Sequence, residues 1–285
     1  MAEFRYSDKN PLHSISFFEF DAMHTHIEVL LTGLAHEQGQ SLAQEVEGRV
    51  KQMERRFNRF DQKSPLSVLN SRAVAESIEV DDELFMALEL CEVFRVATRG
   101  YFSVSAGSAA GVPYVLDGAK HSVRYADQDV QIDMGGFAKG FALDRVLKML
   151  RESGATAGLL NFGNSSVAAI GHHPYGEWWS VGVENQARRG EMACEVHLCD
   201  SAMSLSGRTP SGEYHIVNPH TGVKVAQDEM ILVEGRSPLV AEVLSTAIYA
   251  APKSERGAII KQFDGYSATE ILCSKSGGVE RRKIE

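Results

Sequence analysis

Cysteine, positive charge and long apolar runs are all scarce in this chain of 285 residues. Its four cysteines are scattered from Cys91 to Cys273, which argues against a disulfide-stabilised scaffold. Acidic side chains outnumber basic ones by 38 to 29, and the net charge of −9 argues against a general affinity for nucleic acids or anionic membranes. No apolar run approaches the roughly 20 residues of a membrane-spanning helix. The composition is that of a globular protein with its own hydrophobic core.

Two further absences concern the organisation of the chain. No internal repeat and no linker rich in Pro, Gly or Ser divides it, so we expect residues 1–285 to form one compact unit. We expect its core to lie over about residues 15–250, with frayed termini at Asn10-Pro11 and at Glu280–Lys283. The first twenty residues include acidic side chains and lack a compact apolar stretch, so the sequence predicts no signal peptide.

The apolar patterning predicts a mixture of strands and helices. Helical spacing predicts helices over about 40–60, 82–100, 138–153 and 238–250. Alternating apolar residues predict two strands within 15–31 and further strands at 77–80, 130–133, 158–162, 167–170, 178–183, 194–198, 214–217 and 230–233. Clustered strands with intervening helices favour the α+β class, with a mixed or antiparallel sheet and flanking helices, over a doubly wound sheet.

The segment Asp133–Gly140 is the most informative in the chain. Here a strand runs through Gly135 and Gly136 into a helix that starts near Ala138. Glycines let a backbone approach a ligand closely, and the N-terminus of a helix offers free N–H groups that suit a phosphate. Lys139 opposes the helix dipole in the first turn, so a bound anion explains it better than helix stability does. The alternative is a tight turn with a solvated lysine.

Two later segments carry groups that suit phosphoryl chemistry. His215 stands near the turn formed by Asn218-Pro219, where it could act as a general base or be an ordinary strand histidine. Glu242 and Thr246 lie four residues apart and therefore on one helix face. Their oxygens are hard ligands that Mg²⁺ accepts, although a polar stripe on an amphipathic helix would have the same spacing.

Taken together, these segments resemble the flavin transferases of the ApbE family, the FAD:protein FMN transferases. The family pattern dLGGiAKGyavD resembles Ile132–Asp144, and its TSG and HiiDPxTG patterns resemble Leu205–Gly207 and His215–Gly222. Its ADxxxT pattern resembles Ala241–Thr246. Weaker likenesses to aMGT and to fSrYxxdSelsrLN lie at Ala22–Thr25 and Phe57–Asn70. The resemblance is collinear over about residues 17–250.

The resemblance implies a flavin site in a cleft between two subdomains and a Mg²⁺-dependent transfer of FMN from FAD to a threonine of a partner protein, with release of AMP. It implies that Glu242, Thr246 and the carbonyl of Ala138 bind the metal. His215 is our candidate for the residue that deprotonates the acceptor hydroxyl. The remaining residues are expected to bind FAD: Met23, Phe60, Asp133, Gly135, Gly136, Lys139, Asp144, Ser206 and Gly207. Two other hypotheses stay open, namely an FAD pyrophosphatase that yields FMN and AMP, and a flavin-binding homologue without catalysis.

Departures from the family pattern concern the metal and the flavin. Glu242 replaces an Asp and lengthens the arm by one methylene, while His24 replaces a glycine and Phe60 a tyrosine. Leu205 and Asn218 replace Thr and Asp. Family members are commonly exported or lipid-anchored. Since no signal segment or early lipidation cysteine is visible, we expect a cytoplasmic protein from the sequence as it stands, or a periplasmic one if the sequence is trimmed.

Overall fold

The computed structural model describes residues 2–10, 13–106, 112–209 and 211–285. These residues form helices and antiparallel strands, which confirms the α+β prediction. The helices are α1 (His36–Phe57), α2 (Pro65–Arg72), α3 (Asp82–Ala97), α4 (Ala138–Glu152), α5 (Pro238–Ala250) and α6 (Lys253–Ile260). The strands are β1 (Glu3–Ser7), β2 (Ile15–Ala22), β3 (Thr25–Thr32), β4 (Ile78–Glu79), β5 (Ser105–Ala106), β6 (Tyr114–Asp117), β7 (Ser122–Tyr125), β8 (Gln131–Ile132), β9 (Gly158–Phe162), β10 (Ser166–Ile170), β11 (Trp179–Glu184), β12 (Met192–Leu198), β13 (Ala202–Ser206), β14 (Val217–Asn218), β15 (Val223–Lys224), β16 (Glu229–Gly235), β17 (Ser267–Cys273) and β18 (Val279–Ile284).

One nine-stranded sheet organises the molecule. Its strand order is β1-β2-β3-β9-β10-β13-β16-β17-β18, and every neighbouring pair is antiparallel. The first and last strands of the chain lie at its two edges, so the described residues pack as one unit around this sheet. Four smaller sheets of two or three strands complete the described structure. The expectation of frayed termini is therefore wrong for Glu280–Lys283, which lies in β18. Edge strands carry exposed polar side chains, and such residues give little apolar patterning.

The two faces of the central strands are covered differently. Helices α1, α4 and α5 pack on one face, and the β11–β12 hairpin covers the other with an apolar cluster that includes Trp179 and Leu198. Side chains of a strand alternate between faces. In β10, Val167 and Ala169 accordingly face the hairpin cluster, while Ser166 reaches a residue of α5. A serine therefore lies between the sheet and the helices.

Helices α4 and α5 pack closely against each other beneath the central strands. At Gly140 of α4, a Cβ atom would lie 2.6 Å from the Cβ of Glu242 and 2.9 Å from the carbonyl oxygen of Pro238. Only glycine allows this approach. Helix α5 begins where Ser237 caps it by accepting from the backbone N–H of Val240, with Pro238 in its first turn. The sequence thereby fixes the position of Glu242 relative to α4.

Several expected elements differ in extent. The 40–60 helix begins earlier and ends at Phe57, and the expected strand 214–217 is wrong except for Val217, because residues 214–216 form no strand. Helix α2 was not predicted, although Ser64 caps it and Pro65 opens it. No helix among the described residues has the length and apolar character needed to cross a membrane.

Candidate functional site

A cavity of about 1100 Å³ opens beside the N-terminus of α4, between the central strands and the loops that connect them. Its volume lies near the upper end of the range for small-molecule sites, which suits a dinucleotide-sized ligand. It brings together residues from distant parts of the chain. Most of the predicted site residues line it: Met23, Asp133, Gly135, Gly136, Lys139, Ser206, Gly207, His215, Glu242 and Thr246.

Three predicted residues do not line the cavity. Phe60 is 73% exposed and contacts the lining residue His24, whose ring centroid is 6.4 Å from its own. Asp144 accepts from Ser237 Oγ at 2.8 Å, so it holds the capping residue of α5. Ala138 is the first residue of α4, and its N–H donates to the carbonyl of Met134 at 2.7 Å. The predicted roles of these three as ligands of FAD or metal stay predictions.

An ion pair lies on the cavity wall. Lys139 Nζ is 2.5 Å from Glu242 Oε1, and the Glu242 side chain is 5% exposed whereas that of Lys139 is 23% exposed. A buried carboxylate is costly unless a cation and hydrogen bonds compensate it. The anion expected beside Lys139 is therefore present in the protein itself, in the form of Glu242.

Serines from two strands and one helix complete the surroundings of this carboxylate. Oε2 of Glu242 accepts from Ser166 Oγ and, at 3.2 Å, from Ser204 Oγ. Ser245 lies 3.0 Å from Ser204 and donates to the carbonyl of Glu242 at 3.0 Å, and Ser206 reaches Ser245 at 2.9 Å. We call Lys139, Glu242, Ser166, Ser204 and Ser245 the carboxylate wall. Both oxygens of Glu242 have donors, which fixes the carboxylate in one orientation.

The same wall offers oxygen ligands for a divalent cation. Thr246 follows Glu242 by one helical turn and also lines the cavity. A Cβ at Gly136 would lie 3.4 Å from Thr246 Oγ1, so the glycine keeps the space beside this hydroxyl open. A carboxylate and a hydroxyl suit a hard cation such as Mg²⁺. These donors suit the metal. However, Oε1 of Glu242, which would be one of the ligands, is already paired with Lys139 Nζ.

His215 lies in the loop before β14 and lines the cavity. Burial lowers the pKa of its imidazole below the ordinary value of 6.5, and the positive charge of Lys139 lowers it further. A hydrogen bond to the backbone of Glu213 acts in the opposite direction. The lowered pKa favours the neutral imidazole, which is the form that can accept a proton.

The two-residue turn between β2 and β3 also lines the cavity. Both turn residues are left-handed, with φ of 53° at Met23 and 57° at His24, and the N–H of Met23 donates to Glu54 Oε1 at 2.6 Å. Arg59 lies over the Phe60 ring at 4.7 Å. We call Met23, His24, Arg59 and Phe60 the aromatic rim. Left-handed backbone in residues other than glycine is strained, and such strain concentrates at functional sites.

Arg59 also connects the rim to the glycine segment. Its Nε lies 3.2 Å from Asp133 Oδ2, and Asp133 Oδ1 accepts from the N–H of Gly135 at 2.9 Å. Asp133 is thus placed to shape the turn that precedes α4 as well as to line the cavity.

Sequence reasoning missed the serines of the carboxylate wall. Ser166 is fully buried in an otherwise apolar strand, and Ser204 lies in β13 two residues before the predicted Ser206, on the same face of the strand. A polar residue repeated on one face of a buried strand was the available signal. Arg208 and Gln186 also line the cavity and were not predicted.

Comparisons with known proteins agree with this arrangement. The model of the ApbE family matches residues 23–112 and 112–269, which is most of the chain. A protein of Treponema pallidum (strain Nichols) named FAD:protein FMN transferase is 25% identical over 281 residues, covering 80% of this chain and 76% of that protein.

Solved structures share the fold. The ApbE protein of Thermotoga maritima has a TM-score of 0.79 at 21% identity, covering 97% of each chain. The flavinyl transferase ApbE of Pseudomonas stutzeri, in its apo form, also has a TM-score of 0.79, at 18% identity and over 96% of this chain and 95% of its own. The fold is thus the α+β fold of these ApbE structures. The chain belongs to the ApbE family.

Proposed function

We propose that this protein is an FAD:protein FMN transferase that moves FMN from FAD to a threonine hydroxyl of a partner protein. The observation that carries the proposal is the cavity that Lys139, His215 and the glycine segment line together. The name of the Treponema pallidum relative supports the reaction and its substrate.

The transfer exchanges the phosphoanhydride bond within the diphosphate of FAD for a phosphoester bond to the acceptor hydroxyl. The acceptor oxygen forms a bond to the phosphorus next to the riboflavin, and the P–O bond to AMP breaks, so that AMP leaves with the bonding electrons. The proton of the acceptor hydroxyl passes to His215. Lys139 and the backbone N–H groups at the start of α4 stabilise negative charge on the diphosphate. Lys139 thus compensates the phosphates, and His215 is the catalytic base.

The remaining predicted residues are assigned to the ends of FAD and to the support of the site. Met23 and Phe60, with His24 beside them, pack against the flavin at the aromatic rim. Asp133, Gly135 and Gly136 shape the turn under the diphosphate, and Ser206 and Gly207 lie at the end of β13 where the dinucleotide passes. Asp144 supports α5 through Ser237.

We propose Mg²⁺ as the cofactor, held by Glu242, Thr246 and the carbonyl of Ala138. When bound, the ion neutralises charge on the diphosphate. The hard oxygen donors of Glu242 and Thr246 support this assignment.

One incubation tests the reaction. The protein is mixed with FAD, Mg²⁺ and a threonine-containing acceptor peptide, and both flavin fluorescence on the peptide and free AMP are measured. Labelled peptide with an equal amount of AMP is expected. AMP without labelled peptide would indicate a pyrophosphatase, and bound FAD without either product would indicate a non-catalytic flavin protein; each contradicts the proposal.

A substitution locates the chemistry. His215→Gln should keep FAD binding and lower the rate by about 10²–10⁴-fold, the usual contribution of a general base. Thr209→Val, another change of a cavity-lining residue that is not assigned a role, should leave the rate within a few fold.

A further inference from the structure

The buried carboxylate of Glu242 has one charged partner in the described part of the chain, which is Lys139. Lys139 Nζ donates to Oε1, and the hydroxyls of Ser166 and Ser204 donate to Oε2. The carboxylate is thus both neutralised and fully hydrogen-bonded without any bound ion. A carboxylate in this state is a poor metal ligand, because a cation that approached Oε1 would meet the ammonium group at close range.

The ammonium group of Lys139 is nevertheless free to move away from the Glu242 carboxylate. Its side chain is partly exposed to the cavity, and lysine carries its charge on a flexible four-carbon stem. The backbone of Glu242 is held in α5, and its carboxylate is held by serines. The ammonium is therefore the movable member of the pair, and it lies at the N-terminus of α4, where a phosphate is expected to bind.

We propose that Lys139 and a divalent cation are alternative partners of the Glu242 carboxylate, and that the diphosphate of FAD, by attracting Lys139 into the cavity, opens Oε1 to the cation. The inference rests on the proposed function for the identity of ligand and metal. It assigns Lys139 a positioning role in addition to its contact with phosphate. Since coupling between two binding sites is reciprocal, the metal then binds more tightly with FAD present, and FAD more tightly with metal.

Metal binding to the free protein tests the competition directly. Mn²⁺ serves as the probe in place of Mg²⁺, and its free and bound forms are followed by electron paramagnetic resonance without FAD. Lys139→Met should bind Mn²⁺ at least tenfold more tightly than the wild-type protein, because the carboxylate has lost its internal cation. Equal affinities in the two proteins would overturn the proposal, and so would tighter binding in the wild type.

Matched variants show whether the effect belongs to Glu242. Adding Glu242→Gln to Lys139→Met should abolish the gain. Lys253→Met serves as the control, because Lys253 Nζ lies 2.6 Å from Glu229 Oε1 in a pair outside the cavity, and this change should leave Mn²⁺ affinity unaltered. Lys139→Gln, which keeps a hydrogen-bond donor without the charge, provides a second test if the methionine variant does not fold. A gain that survives Glu242→Gln would contradict the proposal.

The release of Lys139 by FAD has its own readout. FAD should raise the Mn²⁺ affinity of the wild-type protein by a larger factor than that of Lys139→Met, in which nothing remains to be released. Equal factors would overturn the release step. Failure of FAD to bind the wild-type protein would refute the proposed function, whereas FAD transfer without a gain in Lys139→Met would refute the inference alone.

Discussion

The carboxylate wall and the aromatic rim each contribute residues to the same cavity and are built in opposite ways. In the carboxylate wall, Glu242 is 4% exposed and both of its oxygens accept hydrogen bonds from neighbouring side chains. In the aromatic rim, Phe60 is 73% exposed and the turn of Met23 and His24 has left-handed backbone. The carboxylate of the wall is thus fixed by buried polar contacts, whereas the rim relies on strained backbone and exposed rings.

This difference separates two tasks within one site. Charge on a phosphate must be met at defined distances, and buried hydrogen-bond networks hold such distances well. A planar ring and an incoming protein chain need an open surface instead, and exposed aromatic groups provide one. Changes in the wall should therefore cost much stability, and changes in the rim little.

The largest effect is expected when Glu242 is replaced. Glu242→Ala would leave the buried hydroxyls of Ser166 and Ser204 without their acceptor, which costs about 1–3 kcal/mol for each group. The free energy of unfolding from urea denaturation measures it. Glu76→Ala is the control, since Glu76 lies 2.6 Å from Arg72 in an exposed pair and should cost less than about 1 kcal/mol. Similar losses of unfolding free energy in both variants would refute the claim that the buried contacts of the carboxylate wall stabilise the fold more than an exposed ion pair does.

Next in size is the contact between α4 and α5. Gly140→Ala would place a Cβ 2.6 Å from that of Glu242, and the helices would have to separate at a cost of about 1–3 kcal/mol. The same change at Gly48 in α1, where nothing lies within 4 Å of the added carbon, should instead stabilise the protein by about 0.5–1 kcal/mol. Thermal denaturation of both variants gives the comparison. Stability changes of the same sign in the two variants would contradict the proposed close contact between α4 and α5.

A smaller effect of opposite sign is expected in the aromatic rim. His24→Gly should stabilise the protein by about 1 kcal/mol, because glycine adopts the left-handed conformation without strain. Asparagine tolerates the conformation better than histidine, so His24→Asn should give a smaller gain. Chemical denaturation tests the order. A loss of stability in both variants would show that the ring contact with Phe60 outweighs the strain.

The smallest effect concerns acidification and His215. Because burial lowers the pKa of His215, the folded protein binds its proton less readily than the unfolded chain does, so stability rises with pH in this range. The contribution is lost as pH falls below about 6.5, the ordinary value for histidine. Wild-type protein should therefore lose more stability between pH 7.5 and 5.5 than His215→Gln. NMR measures the titration midpoint of the His215 imidazole directly, and a midpoint above 6.5 would contradict the expected lowering of its pKa.

Local signals predicted the elements that carry the site. Helix α4 begins at Ala138 and α5 spans the expected 238–250. The glycines before α4, the Ser237 cap of α5 and the apolar spacing of both helices are local features of the sequence, so they can be recognised without the fold. Strand β9 likewise has the expected bounds, and its residues alternate between buried and half-buried positions. The cavity's position after the glycine segment followed from the same local pattern.

Contacts between residues that are distant in the sequence could not be predicted from local patterns. Lys139 and Glu242 are 103 residues apart and meet only because Gly140 allows α4 to approach α5. The three serines around Glu242 come from two strands and a helix, and no spacing in the sequence relates them. The role of Asp144 in holding Ser237 also depends on this packing. Tertiary contacts thus decide which charges compensate each other.

The central claim is that the cavity holds FAD with its diphosphate beside Lys139. The most direct test compares FAD with riboflavin, which lacks phosphate, in fluorescence titrations of the wild-type protein and Lys139→Met without divalent metal. A lost charge-assisted contact of at least about 1.4 kcal/mol corresponds to a tenfold change in Kd. We expect FAD to bind at least tenfold more weakly to the variant and riboflavin to bind both proteins equally. Equal FAD affinities, or an equal loss for riboflavin, would contradict the account.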